Sequence, residues 1–452
     1  MNRKKSLAAA SLTTLFAAAG GAQADVDVIE GDKINIDVYG VLDLAYGTVQ
    51  HSLGINPQYS QSVNPVSPAL INKTASAIAP SRQTGFFNGA LQGPRLGIKG
   101  DYDLGADLNA FFTLEEGIDM TSGRANDNAA ALASNGGVAT TTSSGGSRNG
   151  QPFNRLAIVG LSSDSLGTVA LGRNYAPIYD VVSKYDPVQF AQLFSPLGFS
   201  ATYGGGGGVS EDVRIQNSIK YSNKIGSFNF GAISNYRGAA GDSNAKTGYG
   251  FNVGYAQDRL GIQAAYQAFV DALNGSAGAL PSTVKVSAYD TRAFVVALRY
   301  KISDEASLKA GYESYTLGAP SDAIVLSNTN YYGQIVNAVV GNRTIAPRTT
   351  NILFIGGGYN FTEKLNAAAG LYNISLRQSA DYTPTSAGNS VAKTGQAGGN
   401  QLYLSMFVDY HFTQRLDAYA GFMYASFSGA AFPSTIYYSS NGIAATGVRY
   451  SF

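Results

Sequence analysis

"QLYLSMFVDYHF", residues 401 to 412, alternates without a break. Leu402, Leu404, Met406, Val408 and Tyr410 fall on one face, and Gln401, Ser405, Asp409 and His411 fall on the other. That is the period-two pattern of a β-strand whose two sides meet different surroundings. Strands of soluble sheets are commonly about five or six residues long, whereas a tilted strand that crosses a bilayer needs about ten. This one has the longer span.

The same pattern recurs along the chain. "KINIDVYGVLDLAYG" sets Ile34, Ile36, Val38, Leu42, Leu44 and Tyr46 against Asn35, Asp37, Tyr39, Val41 and Asp43. Similar stretches bring the count to sixteen, with 167 to 174 and 350 to 360 alternating less cleanly. Their connections fall into two classes. One is short: "DLGA" at 103, "SLGT" at 165, "KIGS" at 224, "DRLG" at 258, "DEAS" at 304, "TEKL" at 362 and "TQRL" at 413. The other is long and polar, at 50–84, 118–150, 175–212, 238–246, 271–289, 317–347, 378–399 and 428–441. Short and long alternate strictly, which implies an up-and-down antiparallel sheet with turns on one rim and loops on the other. Sixteen strands enclose a lumen too wide to fill with side chains, so the polar face is expected to line water and the apolar face to meet lipid. An open edge in hydrocarbon leaves backbone groups unpaired, so the sheet must close.

Composition agrees. The chain has 54 Gly, 29 Tyr and 22 Phe, only 13% charged residues and no Cys. This mixture favours strands and turns, and it excludes disulfides and thiolate metal sites. Arg3, Lys4 and Lys5 precede an apolar run from Leu7 to Ala19 and the small residues "AQA" at 22–24. We read residues 1–24 as a secretory signal peptide and 25–452 as one barrel domain, since the apolar run is shorter than the roughly 20 residues of a spanning helix. Without the three cations of that segment, the 31 basic and 30 acidic residues become 28 and 30, a net charge near −2. Such a balance gives no electrostatic case for binding nucleic acid.

The chain ends on "TGVRYSF", 446–452, in mid-strand. This last strand is expected to pair with the first, near residue 34, and so close the cylinder. At this point the sequence resembles the general diffusion porins of Gram-negative outer membranes. The carriers are "YGVLDLAY" (39–46), "RLGIKGDYDLG" (95–105), "NRLAIVGLSSDSLGTVALGRNYAPIYD" (154–180) and the terminal "GVRYSF". The resemblance covers essentially the whole chain after residue 24. It implies a sixteen-stranded, homotrimeric outer-membrane barrel with short periplasmic turns, long extracellular loops and a third loop folded inward. It also implies passive diffusion of small hydrophilic solutes and inorganic ions, and a terminal aromatic, here Phe452, read by the barrel-insertion machinery. No cofactor is implied.

Catalysis finds little support in the residues. The two histidines, His51 and His411, belong to opposite rims, the glycine run 204–208 lacks the ending of a phosphate loop, and no metal motif appears. The arginines carry more. Arg95 alternates with Leu96 and Ile98, Arg155 with Leu156 and Ile158, and Arg214 with Val213 and Ile215, so each is expected inside. Arg173 shares a strand face with Val169 and Leu171; an outward placement costs roughly 2–4 kcal/mol near the midplane, so it too is placed inside. The four match the positions of the family's basic wall at the constriction, where a charge cluster in a narrow passage focuses the field on an ion.

The third loop, 175–212, is oddly apolar for a solvated segment, with Ile178, Val181, Val182, Val188, Phe190, Leu193 and Phe194 among its residues. The resemblance places it inside the barrel with its acids, Asp180 and Asp186, facing the arginines. Where the family has Pro-Glu-Phe-Gly, this chain has "SPLGF", 195–199, without an acid. Four arginines against two aspartates leave two positive charges in excess, hence an expected weak anion preference. Two rival readings remain: a substrate-selective channel with Tyr39 and Tyr403 as a stacking track, and a barrel-anchored adhesin or receptor, against which the low-complexity stretch 124–150 argues.

Overall fold

The structure is a computed structural model that describes residues 25–51, 82–125, 153, 155–199, 214–236, 248–269, 290–318, 330–331, 334–335, 348–377, 398–429 and 440–452. The signal-peptide assignment at 1–24, the glycine run 204–208 and most of the stretch 124–150 lie outside them. In chain order the strands are β1 (Val26–Glu30), β2 (Ile34–His51), β3 (Arg82–Asn88), β4 (Arg95–Gly105), β5 (Leu108–Asp119), β6 (Arg124–Ala125), β7 (Leu156–Ser163) and β8 (Gly167–Tyr175). Two helices follow, α1 (Pro177–Tyr185) and α2 (Pro196–Phe199). Then come β9 (Arg214–Ile225), β10 (Phe228–Asn235), β11 (Gly248–Gln257), β12 (Leu260–Phe269), β13 (Asp290–Lys301), β14 (Ala306–Gly318), β15 (Asn330–Tyr331) and β16 (Gln334–Ile335). The last are β17 (Arg348–Asn360), β18 (Leu365–Leu376), β19 (Gly399–His411), β20 (Leu416–Gly429) and β21 (Ser440–Ser451).

Except for the β15–β16 hairpin, these form a single nineteen-stranded antiparallel sheet. β1 and β6 are short additions to it, and β3 and β4 run in line along the same side of β2, pairing with its upper and lower halves. Counted as staves, this is a sixteen-stranded cylinder. It closes where β21 pairs with β2, from Val41↔Ser451 to His51↔Asn441, and the seam ends in a reciprocal pair: Gly40 N–H donates to Phe452 O at 2.8 Å and Phe452 N–H to Gly40 O at 3.0 Å. β1 continues the line of β21 along β2, from Val26↔Val38 to Glu30↔Asn35.

The exterior is apolar in the way the alternation requires. Leu402, Leu404, Met406 and Val408 of β19 are exposed, and Gln401, Tyr403, Ser405 and Phe407 between them are buried. At the rim of short turns, aromatic pairs face outward: Tyr359 with Phe361 at 5.0 Å between ring centroids, Tyr410 with Phe412 at 5.1 Å, and Tyr450 with Phe452 at 5.9 Å. An aromatic girdle of this kind marks a membrane–water interface. Among the described residues no helix is long and apolar enough to cross a membrane.

Neighbouring turns are also tied to one another. The Asp107 carboxylate, in the turn between β4 and β5, accepts from Ser163 Oγ and Ser165 Oγ at 2.8 Å and from the N–H of Asp164 at 3.0 Å. These donors push its pKa down to about 2. A lowered carboxylate stabilises the folded state above its ordinary titration range and loses that effect only as pH falls through the folded value.

The interior departs from expectation. The lumen-facing rows of β13, β14 and β17 to β20 are largely apolar, with Val295, Tyr315, Phe354, Tyr372, Phe407 and Phe427 buried. They line a cluster completed by the third loop, so this side of the lumen is a packed core. Each apolar side chain buried there is worth about 1.5–3 kcal/mol, which accounts for a loop that stays inside the cylinder.

Deleting Phe452 removes the reciprocal pair at Gly40 and the last ring of the girdle. The expected result is a several-fold lower yield of inserted barrel at unchanged synthesis, measured by immunoblot of membrane fractions against whole cells; normal membrane levels would refute the assignment.

Candidate functional site

The third loop starts at the end of β8 and follows the inner wall. α1 lacks a side-chain N-cap, but Pro177 occupies its first turn and the wall supplies the missing acceptor: Ile178 N–H donates to Gln267 Oε1 of β12 at 3.1 Å. Ile178, Val181, Val182 and Tyr185 form the buried stripe of the helix, which lies against β11, β12 and β13. Asp186 ends it.

Beyond Asp186 the chain is held by one carboxylate. Asp186 accepts from Phe190 N–H at 2.7 Å, Tyr372 Oη of β18 at 2.7 Å and Ser195 Oγ at 3.0 Å. Ser195 Oγ in turn caps α2, accepting from the N–H of Leu197 and Gly198, both at 3.1 Å. The stretch "SPLGF" is therefore a capped turn and carries no charge. Close approach to the wall depends on missing side chains: a Cβ at Gly370 would lie 3.0 Å from the Pro187 ring, and one at Gly421 would lie 2.8 Å from the Phe194 ring.

The acids of the loop do not face the arginines. Asp186 is fully buried in the bonds just described. Asp180 turns to the wall, where Lys220 Nζ of β9 reaches its oxygens at 2.7 and 2.9 Å and Asn252 Nδ2 donates at 3.0 Å. Lys220 was missed in the sequence, although it stands in the inward row with Ser218.

Three of the four arginines come together. Arg155 Nε donates to Glu115 Oε1 at 2.5 Å and its Nη2 to Tyr175 Oη at 3.0 Å. Arg95 Nε faces Glu115 Oε2 at 3.5 Å, and Tyr39 Oη donates to the same oxygen at 3.1 Å. Arg214 lies over the Tyr175 ring, 5.4 Å from its centroid, and that ring stacks on Tyr179 of α1 at 4.0 Å. Glu115 was also missed. Its inward row with Phe111 and Thr113 was legible, but nothing in the sequence announced that it would sit between two arginines.

Two details correct the sequence reading. In β7 the outward residues are Val159 and Leu161, while Leu156 and Ile158 are buried. Arg155 reaches the lumen because it precedes the ladder. Arg173 does not join the group. It pairs with Ala157 and continues the outward row of Val159↔Leu171 and Leu161↔Val169. It is half-buried, and its Nη1 donates to the Arg214 carbonyl at 3.3 Å. Gly172, at φ 124°, and a register shift between Gly172 and Asn174 break the ladder here, close to the strand end. A partly buried guanidinium that keeps a hydrogen-bond partner on the wall escapes part of the cost of a cation bare to lipid.

Tyr39 and Tyr403 are both buried, and Tyr403 Oη is bonded to Gln401 Oε1 at 2.9 Å. No stacking track exists at those two positions. His411, at the short-turn rim, has Asp417 Oδ1 at 2.6 Å from Nδ1 and the Asn366 amide at 2.8 Å from Nε2. Arg449 donates to Asp417 Oδ2 at 2.7 Å and to Asp409 Oδ2 at 3.2 Å, so this rim group is held by its own hydrogen bonds.

A family model described as Gram-negative porin matches residues 8–430. A curated outer membrane porin protein of Bordetella pertussis is 28% identical over 255 residues, 55% of this chain and 52% of the relative, so the chain spans about half the length of that relative. Among solved structures, the anion-selective porin from Comamonas acidovorans superposes with a TM-score of 0.59 at 16% identity, over 93% of this chain and all of that one. Salmonella typhi OmpF gives 0.54 at 16% identity, over 94% and 100%.

Glu115 holds the group together. Glu115→Gln leaves two guanidinium groups without their counter-charge, a loss of about 1–3 kcal/mol. The variant's apparent melting temperature in detergent should fall; an unchanged value would show that the arginines do not depend on it.

Proposed function

The chain belongs to the Gram-negative porin family, and we propose that it forms a water-filled outer-membrane channel for passive diffusion of small hydrophilic solutes and ions, weakly selective for anions. The carrying observation is the side-chain group on the lumen wall. Arg95, Arg155 and Arg214 are gathered on one arc, with Glu115 as the close counter-charge of the first two and the Tyr175 ring under the third, and the loop acids are bonded to Lys220 and to Tyr372 and Ser195. Charges further than about 8–10 Å from an ion's path are screened at physiological salt, so this group outweighs the slightly negative total. The name of the anion-selective structural neighbour is in keeping with this reading.

Assembly belongs to the same proposal. Phe112, Leu114, Ala157, Val159 and Leu171 line an apolar depression on the outer wall, which supports contact with another copy in a homotrimer. Export by residues 1–24 and recognition of Phe452 by the insertion machinery complete the reading.

The test is the zero-current potential of the purified protein across a KCl gradient. The wild type is expected to favour chloride modestly, less so at high salt. Arg95→Ala combined with Arg214→Ala should move the potential toward potassium, and Arg173→Ala should leave it in place. A potassium-selective wild type, or an unmoved double variant, would overturn the assignment of the filter.

A further inference from the structure

We propose that Asp43 is a positioning residue for the constriction: through residues 89–94, an inward excursion between β3 and β4, it seats the tip of the third loop and orients Arg95. The inference rests on the channel reading above. Asp43 stands on the inward face of β2 and is fully buried. Its carboxylate accepts from three successive backbone groups, the N–H of Ala90 at 3.2 Å, Leu91 at 3.0 Å and Gln92 at 2.8 Å, and from Tyr419 Oη of β20. Its carbonyl accepts from Gly89 N–H at 3.0 Å. Consecutive amides aimed at one anion form a nest, and hydrogen bonds to a charged acceptor are roughly twice as strong as neutral ones.

The excursion held in this way has two partners. Its carbonyls accept from the loop tip, Leu193 N–H to Ala90 O at 2.8 Å and Gln192 N–H to Leu91 O at 3.2 Å. Its far end holds the guanidinium of the basic wall, Arg95 Nη1 donating to Gly93 O at 3.2 Å and Nη2 to Gln92 Oε1 at 3.3 Å. One carboxylate thus fixes the tip that narrows the lumen and a charge that lines it. α1 is anchored separately, on β11, β12 and β13.

That separation provides the test. The chain has no cysteine, so single cysteines report locally. Leu193→Cys probes the tip and Val182→Cys probes α1; both parent side chains are fully buried. Each is placed in the otherwise native barrel, alone and with Asp43→Asn, and its reaction with a charged aqueous thiol reagent is timed. Labelling of a buried site follows its opening equilibrium. Asp43→Asn is expected to raise the rate at position 193 roughly tenfold, as loss of a charge-assisted contact of about 1.4 kcal/mol requires, and to leave position 182 unchanged. Tyr419→Phe, which removes one donor and keeps the carboxylate, should raise the rate at 193 by a smaller factor, and it serves should Asp43→Asn fail to fold. Equal acceleration at both sites, or none at 193, overturns the proposal. In bilayers, Asp43→Asn should increase single-channel conductance and weaken anion preference. If wild type passes no current while the labelling contrast holds, the channel reading fails and the seating stands; current without the contrast removes the seating alone.

Discussion

A backbone amide inside a hydrocarbon layer has no water to bond, and the cost of leaving it unpaired is several kcal/mol per group. This constraint explains why sixteen staves follow one another in chain order, why the first and last meet at the Gly40–Phe452 pair, and why the outer row of each strand is apolar. It also explains the lumen. A cylinder of this circumference is hollow unless something else enters it, and here the third loop does.

The loop lies along the inner wall. It runs past β11 to β13 as α1, approaches β17 and β18 at Pro187, meets β20 at Phe194 and reaches the excursion between β3 and β4 at Leu193. The arginine group stands at the start of β4, just before β7 and at the start of β9, with Glu115 of β5 among them. The arginine group and the bulk of the apolar packing therefore occupy different sectors of one interior. The segregation has a simple cause: buried guanidinium groups need a carboxylate or a polar partner close by, and Glu115 and Tyr175 lie beside them.

Much of this was legible in the sequence. Alternation such as that of Gln401 to His411 yielded the strands and their faces, and the strict order of short and long connections yielded the topology. The apolar residues of 178–197 announced a loop that stays inside. What failed did so for reasons of detail. Alternation predicts a side chain's face only within an unbroken ladder; Arg155 precedes one, and the shift beside Gly172 ends another. The partners of Asp180 and Asp186 lie on β9, β11 and β18, brought near by closure of the sheet, and no local pattern marks such contacts. Asp43 was placed on the correct face, yet its role depends on an excursion that resembles part of a polar connection in the sequence.

β2 is paired along most of its eighteen residues on both sides, by β3 and β4 on one and by β21 and β1 on the other. One of its neighbours comes from the opposite end of the chain. Joining segments so far apart costs loop-closure entropy that no local contact repays in advance, and such pairings form slowly. During assembly β2 is therefore among the earliest strands made and among the last to be fully satisfied. Until β21 arrives, one long margin of it is an adhesive template for any extended chain nearby.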